Sequence, residues 1–324
     1  MEIESPTTIE NTSLIPRSMG FGELLDATFS FYRTHFLRFL GITSIYLLAM
    51  LIGFSICLLD DSVGRNERIA IWITTTGVLF GVSIFVASSL ISATSQAYLD
   101  GAIRIGAVLK LGIRQFITCF VGAFLFGLIA IITTTLASLL LGSLFRLFAL
   151  IMQNAFNFFF TFVLTLLSSV IVIFVAVYFI SHWCFFAAAV LVEGKSIWDG
   201  IRRRGELIRR RSLQIASIMT AIFLLYLAVN FIFRFGFGFL FILTEHTNFE
   251  ELRNVLQPVW LMQLPVFQNE LRLSHQLMHL IYLGIDTITM PIWVIGATLL
   301  YFDQRIRREG FDIEMMAARQ GGRK

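Results

Sequence analysis

Charge is scarce in this sequence. Only 14% of its 324 residues are Asp, Glu, Lys or Arg, where an ordinary soluble domain carries about 25%. Cysteine is scarce too. Cys57, Cys119 and Cys184 all lie in apolar runs and form no CxxC pair, which argues against a disulfide framework or a thiolate metal site. Catalytic signatures are missing: no Walker motif, GxSxG, GxGxxG or kinase set occurs. ATP-driven transport by this chain therefore has no support, and no catalytic residue and no cofactor are assigned. Nucleic acid needs a basic surface on a folded domain. Here the formal charge is only +4 and the basic residues flank apolar segments, so no nucleic-acid partner is expected. The opening MEIESPTTIENTSLIPRSMG has no positive stretch followed by an apolar one, so a cleaved signal peptide is not expected.

What is abundant is apolar. Hydrophobic residues make up 57% of the chain, with 34 phenylalanines and a mean hydropathy of +0.80. They come in long blocks, and a membrane-crossing helix needs about 20 such residues. Six segments qualify, near 39–59, 70–97, 116–141, 158–183, 213–235 and 280–302. The expected class is an all-α polytopic membrane protein with about six transmembrane helices. Residues 1–18 form a polar tail, 19–303 the membrane domain with an outer loop at about 244–279, and 304–324 a charged tail. Pro258 and Pro265 break the outer loop into short helices, and that loop is too small to carry an enzyme fold.

Basic residues set the orientation, since loops rich in Lys and Arg stay on the cytoplasmic side. With six spans, 19 of the 25 basic residues fall on the side of the N-terminus and five on the other, with Arg234 near the outer end of the fifth helix. This places both termini in the cytoplasm of a bacterial cell, with the protein in its inner membrane. Three stretches on that side mix apolar and basic residues: FGELLDATFSFYRTHFLRFLGI, GAIRIGAVLKLGIRQF and KSIWDGIRRRGELIRRRSLQI. They precede helices one, three and five and read as amphipathic helices at the interface. The first and third align without gaps, Asp26 on Asp199 and Arg38 on Arg211, which suggests three units of interfacial helix plus hairpin.

Three landmarks carry a family resemblance. The opening RSMGFGELLDATFSFYRTHF, the middle VLVEGKSIWDGIRRRGELI and the closing LLYFDQRIRREGFDIEMMA resemble, in order and spacing, the glycerophosphoryl diester phosphodiesterase membrane-domain family. The closing stretch is the most specific: a tyrosine and an aspartate, paired arginines, Glu-Gly-Phe-Asp, then an apolar pair. The chain departs from the pattern where AAAVLVEG lacks a proline and where Arg203-Arg204-Gly205 replaces an Arg-Ser pair. The resemblance covers a membrane region only. The family's soluble phosphodiesterase would need a His-Arg opening, clustered acidic metal ligands and a second His, and no segment outside the membrane is long enough for them. The resemblance therefore implies no enzymatic activity.

Four features stand out as candidate sites, each with two readings. Arg202, Arg203, Arg204, Arg209, Arg210 and Arg211, with Arg305, Arg307 and Arg308 in the tail, can contact anionic lipid or a membrane-protein partner, or serve as topology signals and a stop-transfer anchor. Asp303–Arg307 and Arg305–Glu309 are spaced to pair along a helix that Gly310 can end. Arg234 and Asp286 are the ionisable residues nearest membrane depth; Asp286 stands about 24 Å along the helix from Phe302. They can pair as a functional site, or Arg234 can snorkel above a shallow Asp286. His275 and His279, in HQLMH, share a helix face but lack the Glu of a metalloprotease, and no metal is assigned. Ser88, Ser92 and Gln96, with Ser89, Ala93 and Ala97, form small-residue faces that suit close packing or a polar path. The expected function is a non-enzymatic membrane protein that interacts with lipid or organises partners at the inner leaflet. The alternative is a transporter of a small molecule or lipid.

Overall fold

The structure, a computed structural model, describes residues 19–58, 65–151, 157–208, 211–243 and 273–310. Most of the outer loop and both tails lie outside the described residues. The elements, in order, are α1 (Phe21–Thr34), α2 (Phe36–Leu58), α3 (Arg65–Asp100), α4 (Ile105–Ile151), α5 (Asn157–Glu193), α6 (Ile197–Ile208), α7 (Ser212–Leu243) and α8 (Leu273–Glu309). No strand occurs among the described residues. Six helices, α2, α3, α4, α5, α7 and α8, are long and apolar enough to cross a membrane. The chain is an all-α polytopic membrane protein. In such surroundings only a helix satisfies its own backbone hydrogen bonds without water.

Local chemistry sets the breaks. The Glu23 carboxylate accepts from the Gly20 N–H at 2.9 Å and closes the start of α1. At the far end His35 leaves the helical region and α2 begins one residue later. Gly101, Gly194 and Gly310 end α3, α5 and α8 with φ of 73°, 66° and 64°, a backbone that costs a side-chain-bearing residue far more. Of the three amphipathic stretches, the first and third contribute helices of their own, α1 and α6. The second is the opening of α4, which runs unbroken for 47 residues, or about 70 Å. It contains no proline and no left-handed glycine to interrupt it. α8 also starts earlier than the apolar run suggests, at Leu273.

Contacts of α1 climb along α8. The Met19 N–H donates to Asp303 Oδ1 at 2.8 Å and the Tyr32 hydroxyl donates to the Ile288 carbonyl at 2.6 Å. Between them Thr28 faces Gly296, where an added Cβ would come 3.5 Å from Thr28 Oγ1 and 2.9 Å from Ile222 Cγ2. The helix thus runs antiparallel to the charged half of α8. Nearby, the Tyr98 and Phe302 rings stack at 4.7 Å.

The bundle is uneven. In α3 and α8, 56% of the spanning window is buried, against 17% in α4. α4 turns Ile117, Phe124, Leu128 and Ile131 outward, as a lipid-facing helix should. In α5 the stretch Trp183 to Val190, near its C-terminal end, is buried throughout. Ser88, Ser89, Ser92, Ala93 and Ala97 are all buried, and small residues there let α3 approach its neighbours closely. α4 and α5 approach closely at Gly122, where an added Cβ would overlap the Phe186 ring. Phe186 has little room to move, since Gly200 of α6 packs on its other edge.

Gly122→Ala should therefore destabilise the protein by about 1–3 kcal/mol. Gly127→Ala, whose added methyl would meet nothing within 4 Å, should shift stability by no more than about 0.5 kcal/mol. Thermal unfolding of the two variants in detergent micelles checks the contrast.

Candidate functional site

Charged side chains gather in two places. The first is the end of the bundle where α5, α6 and α8 meet. Glu193, the last residue of α5, keeps a side chain only 9% exposed. It accepts from the Tyr301 hydroxyl at 2.7 Å and from Arg203 Nε at 2.9 and 3.1 Å. Arg305 Nε lies 3.7 Å away. Arg203 reaches on to Glu309, with Nη1 at 2.6 Å and Nη2 at 2.7 Å. Burial disfavours its charge, but Glu309 and Glu193 more than offset that, so its pKa is raised. Arg305 Nε also donates to Glu309 at 3.3 Å. Arg308 donates to the Glu206 backbone carbonyl. On the same end, Arg307 bonds Asp303 at 2.8 Å and the Met19 carbonyl at 2.6 Å.

The nine arginines read from the sequence therefore have different fates. Arg203, Arg305, Arg307 and Arg308 bind groups of the protein itself. Arg204 is half-buried, with its guanidinium carbon 4.9 Å from the Phe126 ring centroid. Burial lowers its pKa. Arg202, with a side chain 84% exposed, has a loose 3.5 Å link to Glu206, and Arg211 is exposed. Arg209 and Arg210 lie outside the described residues, as do the side chains of His275 and His279. Sequence reasoning on charge alone missed Glu193 and Tyr301 as partners. The signal for them lay in the landmarks: Glu-Gly in the middle one and Tyr-Phe-Asp in the closing one. All three landmark segments converge here: the first meets the last at Met19 and Asp303, and the second meets the last at Glu193 and Tyr301.

The second place lies toward the other end of α8. Arg234 of α7 places Nη2 at 2.6 Å from both carboxylate oxygens of Asp286. Their side chains are 7% and 16% exposed. Arg234 does not snorkel to the surface. The Asn230 side-chain amide donates to Asp286 at 2.7 Å and to Thr289 at 3.1 Å. The Tyr282 hydroxyl donates to the Arg234 carbonyl at 3.2 Å, and its ring centroid lies 5.1 Å from the guanidinium carbon. This pair sits at one corner of a cavity of about 690 Å³ between α2, α3, α5, α7 and α8. Tyr46, Ile173, Tyr226, Leu227, Met290 and Trp293 are among its walls. The volume is in the range that holds small ligands, and the walls outside the corner are mostly apolar. Pro291 stands inside α8 beside this corner; lacking an N–H, it leaves the Thr287 carbonyl without its helical donor.

No protein family, curated protein or solved structure matches the chain.

The pair should behave as a buried ion pair. Asp286→Ala leaves Arg234 buried and unpaired, and should cost about 3–5 kcal/mol of stability. The double variant Arg234→Met/Asp286→Leu should recover most of that loss. Unfolding titrations in mixed micelles on the single and double variants read the difference.

Proposed function

We propose that this chain is a non-enzymatic, lipid-interacting protein of a bacterial inner membrane, related to the glycerophosphoryl diester phosphodiesterase membrane-domain family, with its charged end and both termini in the cytoplasm. The orientation rests on the distribution of Lys and Arg. The relationship is supported by the meeting of the three landmark segments at one end of the bundle. The observation that carries the function is the cavity: apolar walls, one polar corner and a volume of about 690 Å³. Such a space suits an amphiphile better than a polar solute, since a long apolar surface finds cover and a single head finds hydrogen bonds. The charged end contributes less than the arginine count suggests, because most of its guanidiniums already hold carboxylates or carbonyls of the protein. Among the described residues, Arg202 and Arg211 are the exposed cations of the central run, and each adds about 1 kcal/mol of attraction to an anionic leaflet. A membrane-protein partner at the same end would meet the same two side chains.

Transport of a lipid or small molecule is the second reading. Pro291 favours it, because a proline inside a helix is where a kink forms, and this one stands next to the corner pair.

Extraction of the protein with a surrounding disc of native bilayer, followed by lipid analysis, tests the proposal. An amphiphile retained through detergent exchange should be found with the wild type and lost when Leu227→Trp narrows the cavity. A lipid profile equal to bulk membrane, with nothing retained, would sink it. Arg202→Gln/Arg211→Gln should reduce only the loosely held anionic lipid.

A further inference from the structure

The charged end holds a cavity of its own. Its volume is about 580 Å³, and its walls come from the end of α5, from α6 and from α8. The more buried walls belong to the clamp, where Glu193 meets Arg203 at 2.9 Å and Arg305 at 3.7 Å. The exposed walls follow α6. Arg202 and Glu206 face each other there at 3.5 Å. Two further wall charges, Lys195 and Asp199, are exposed, and among the described residues neither meets a charge of opposite sign. Asp199 accepts only from a neutral group, the Ser196 hydroxyl at 2.6 Å and the more distant backbone aside.

These two charges say what the guest must bring. They have opposite signs and stand in one wall. A simple anion gains Lys195 but meets the Asp199 carboxylate, and a simple cation meets the reverse. A guest that carries both charges on a short arm satisfies both, and like-charge contact works against every other guest. The surroundings say where the guest comes from. Trp198, next to Asp199 on α6, is 82% exposed, and Leu213 at the start of α7 is 69% exposed. An exposed indole suits the headgroup level of a bilayer, where its ring is covered and its N–H is wet. At that level the molecule with a phosphate and an ammonium side by side is a zwitterionic phospholipid. A carboxylate bonds a primary ammonium through its N–H groups. A quaternary ammonium has none to offer.

Resting on the lipid-interacting reading above, we infer that this cavity binds the phosphoethanolamine head of a lipid from the adjoining leaflet. The Lys195 ammonium donates to a phosphate oxygen, and the ammonium of the lipid donates to the Asp199 carboxylate. The clamp positions both residues. Its Glu193–Arg203 bond joins the end of α5 to α6 and so closes the turn that carries Lys195 beside the first turn of α6. The clamp's own charges are engaged with one another, which leaves Lys195 and Asp199 to read the head.

The test offers the full chain, in micelles of an uncharged maltoside, an equimolar mixture of phosphatidylethanolamine, phosphatidylglycerol and phosphatidylcholine with identical chains. Native mass spectrometry counts the lipids retained. The wild type should retain phosphatidylethanolamine about fivefold over either of the others, the factor expected for exposed ion pairs. Asp199→Asn leaves the cation alone in the wall and should move the preference to phosphatidylglycerol. Lys195→Gln should lower the retention of phosphatidylethanolamine and phosphatidylglycerol together. Retention of phosphatidylglycerol by the wild type at or above phosphatidylethanolamine overturns the head assignment while the lipid-interacting reading stands. A preference for phosphatidylethanolamine that survives Asp199→Asn unchanged places the head elsewhere and overturns the site. Displacement of the lipid by an equal concentration of soluble phosphoethanolamine makes the guest a soluble zwitterion and overturns the lipid source. Retention of no lipid of any kind overturns both the site and the reading on which it rests.

Discussion

Glu193 stands at the end of α5 with its carboxylate almost out of contact with solvent. A carboxylate in that position keeps its charge only if other groups meet its oxygens. Here they come from two further helices: Arg203 from α6, Tyr301 and Arg305 from α8. Each of these is held in turn. Arg203 and Arg305 share Glu309 one turn further along α8. Two residues from Tyr301, Asp303 takes the Met19 N–H and so docks the start of α1. Glu193 thus ties three helices together, and Asp303 adds the start of α1. The left-handed turn at Gly194 delivers α6 back toward the same carboxylate.

α8 is tied by charge at two levels. At the charged end it is clamped through Tyr301, Asp303, Arg305 and Glu309. Toward the other end it is held to α7 by Asp286 and Arg234. Between the two ties lie Pro291 and a stretch of small residues, Gly296, Ala297 and Thr298, with Thr28 and Ile222 packed against Gly296. Tight packing there permits little sliding. The missing hydrogen bond at Pro291 leaves bending next to the cavity as the least costly distortion of α8.

Much of this architecture was legible in the sequence. The six spans were readable because an apolar block of the required length has few alternatives in lipid. The i,i+4 spacing of Asp303 with Arg307 and of Arg305 with Glu309 matches the bonds observed. Other features were beyond such reading. An arginine looks the same in a list of charges whether it faces a phosphate or a carboxylate of its own chain, and only the tertiary fold brings Glu193 to Arg203. The climb of α1 along α8 depends on Gly296 facing Thr28, a long-range contact with no periodic signature. The continuity of α4 was hidden because its first turns are amphipathic and its later ones apolar, although no breaker separates them. The cavity has no linear signal at all: its walls come from five helices.

The two charged places differ in a way that separates structure from function. At the charged end, Glu193, Glu309 and Asp303 each receive more than one donor. Such matching is what a clamp requires. At the corner the balance is unequal. Asp286 accepts from Arg234 and Asn230, while the buried Arg234 Nε–H meets no acceptor. A protein that needed only to join α7 to α8 could do so with apolar side chains at no electrostatic cost. Keeping the pair, with Asn230 and Thr289 beside it, instead gives the cavity a fixed polar corner among largely apolar walls.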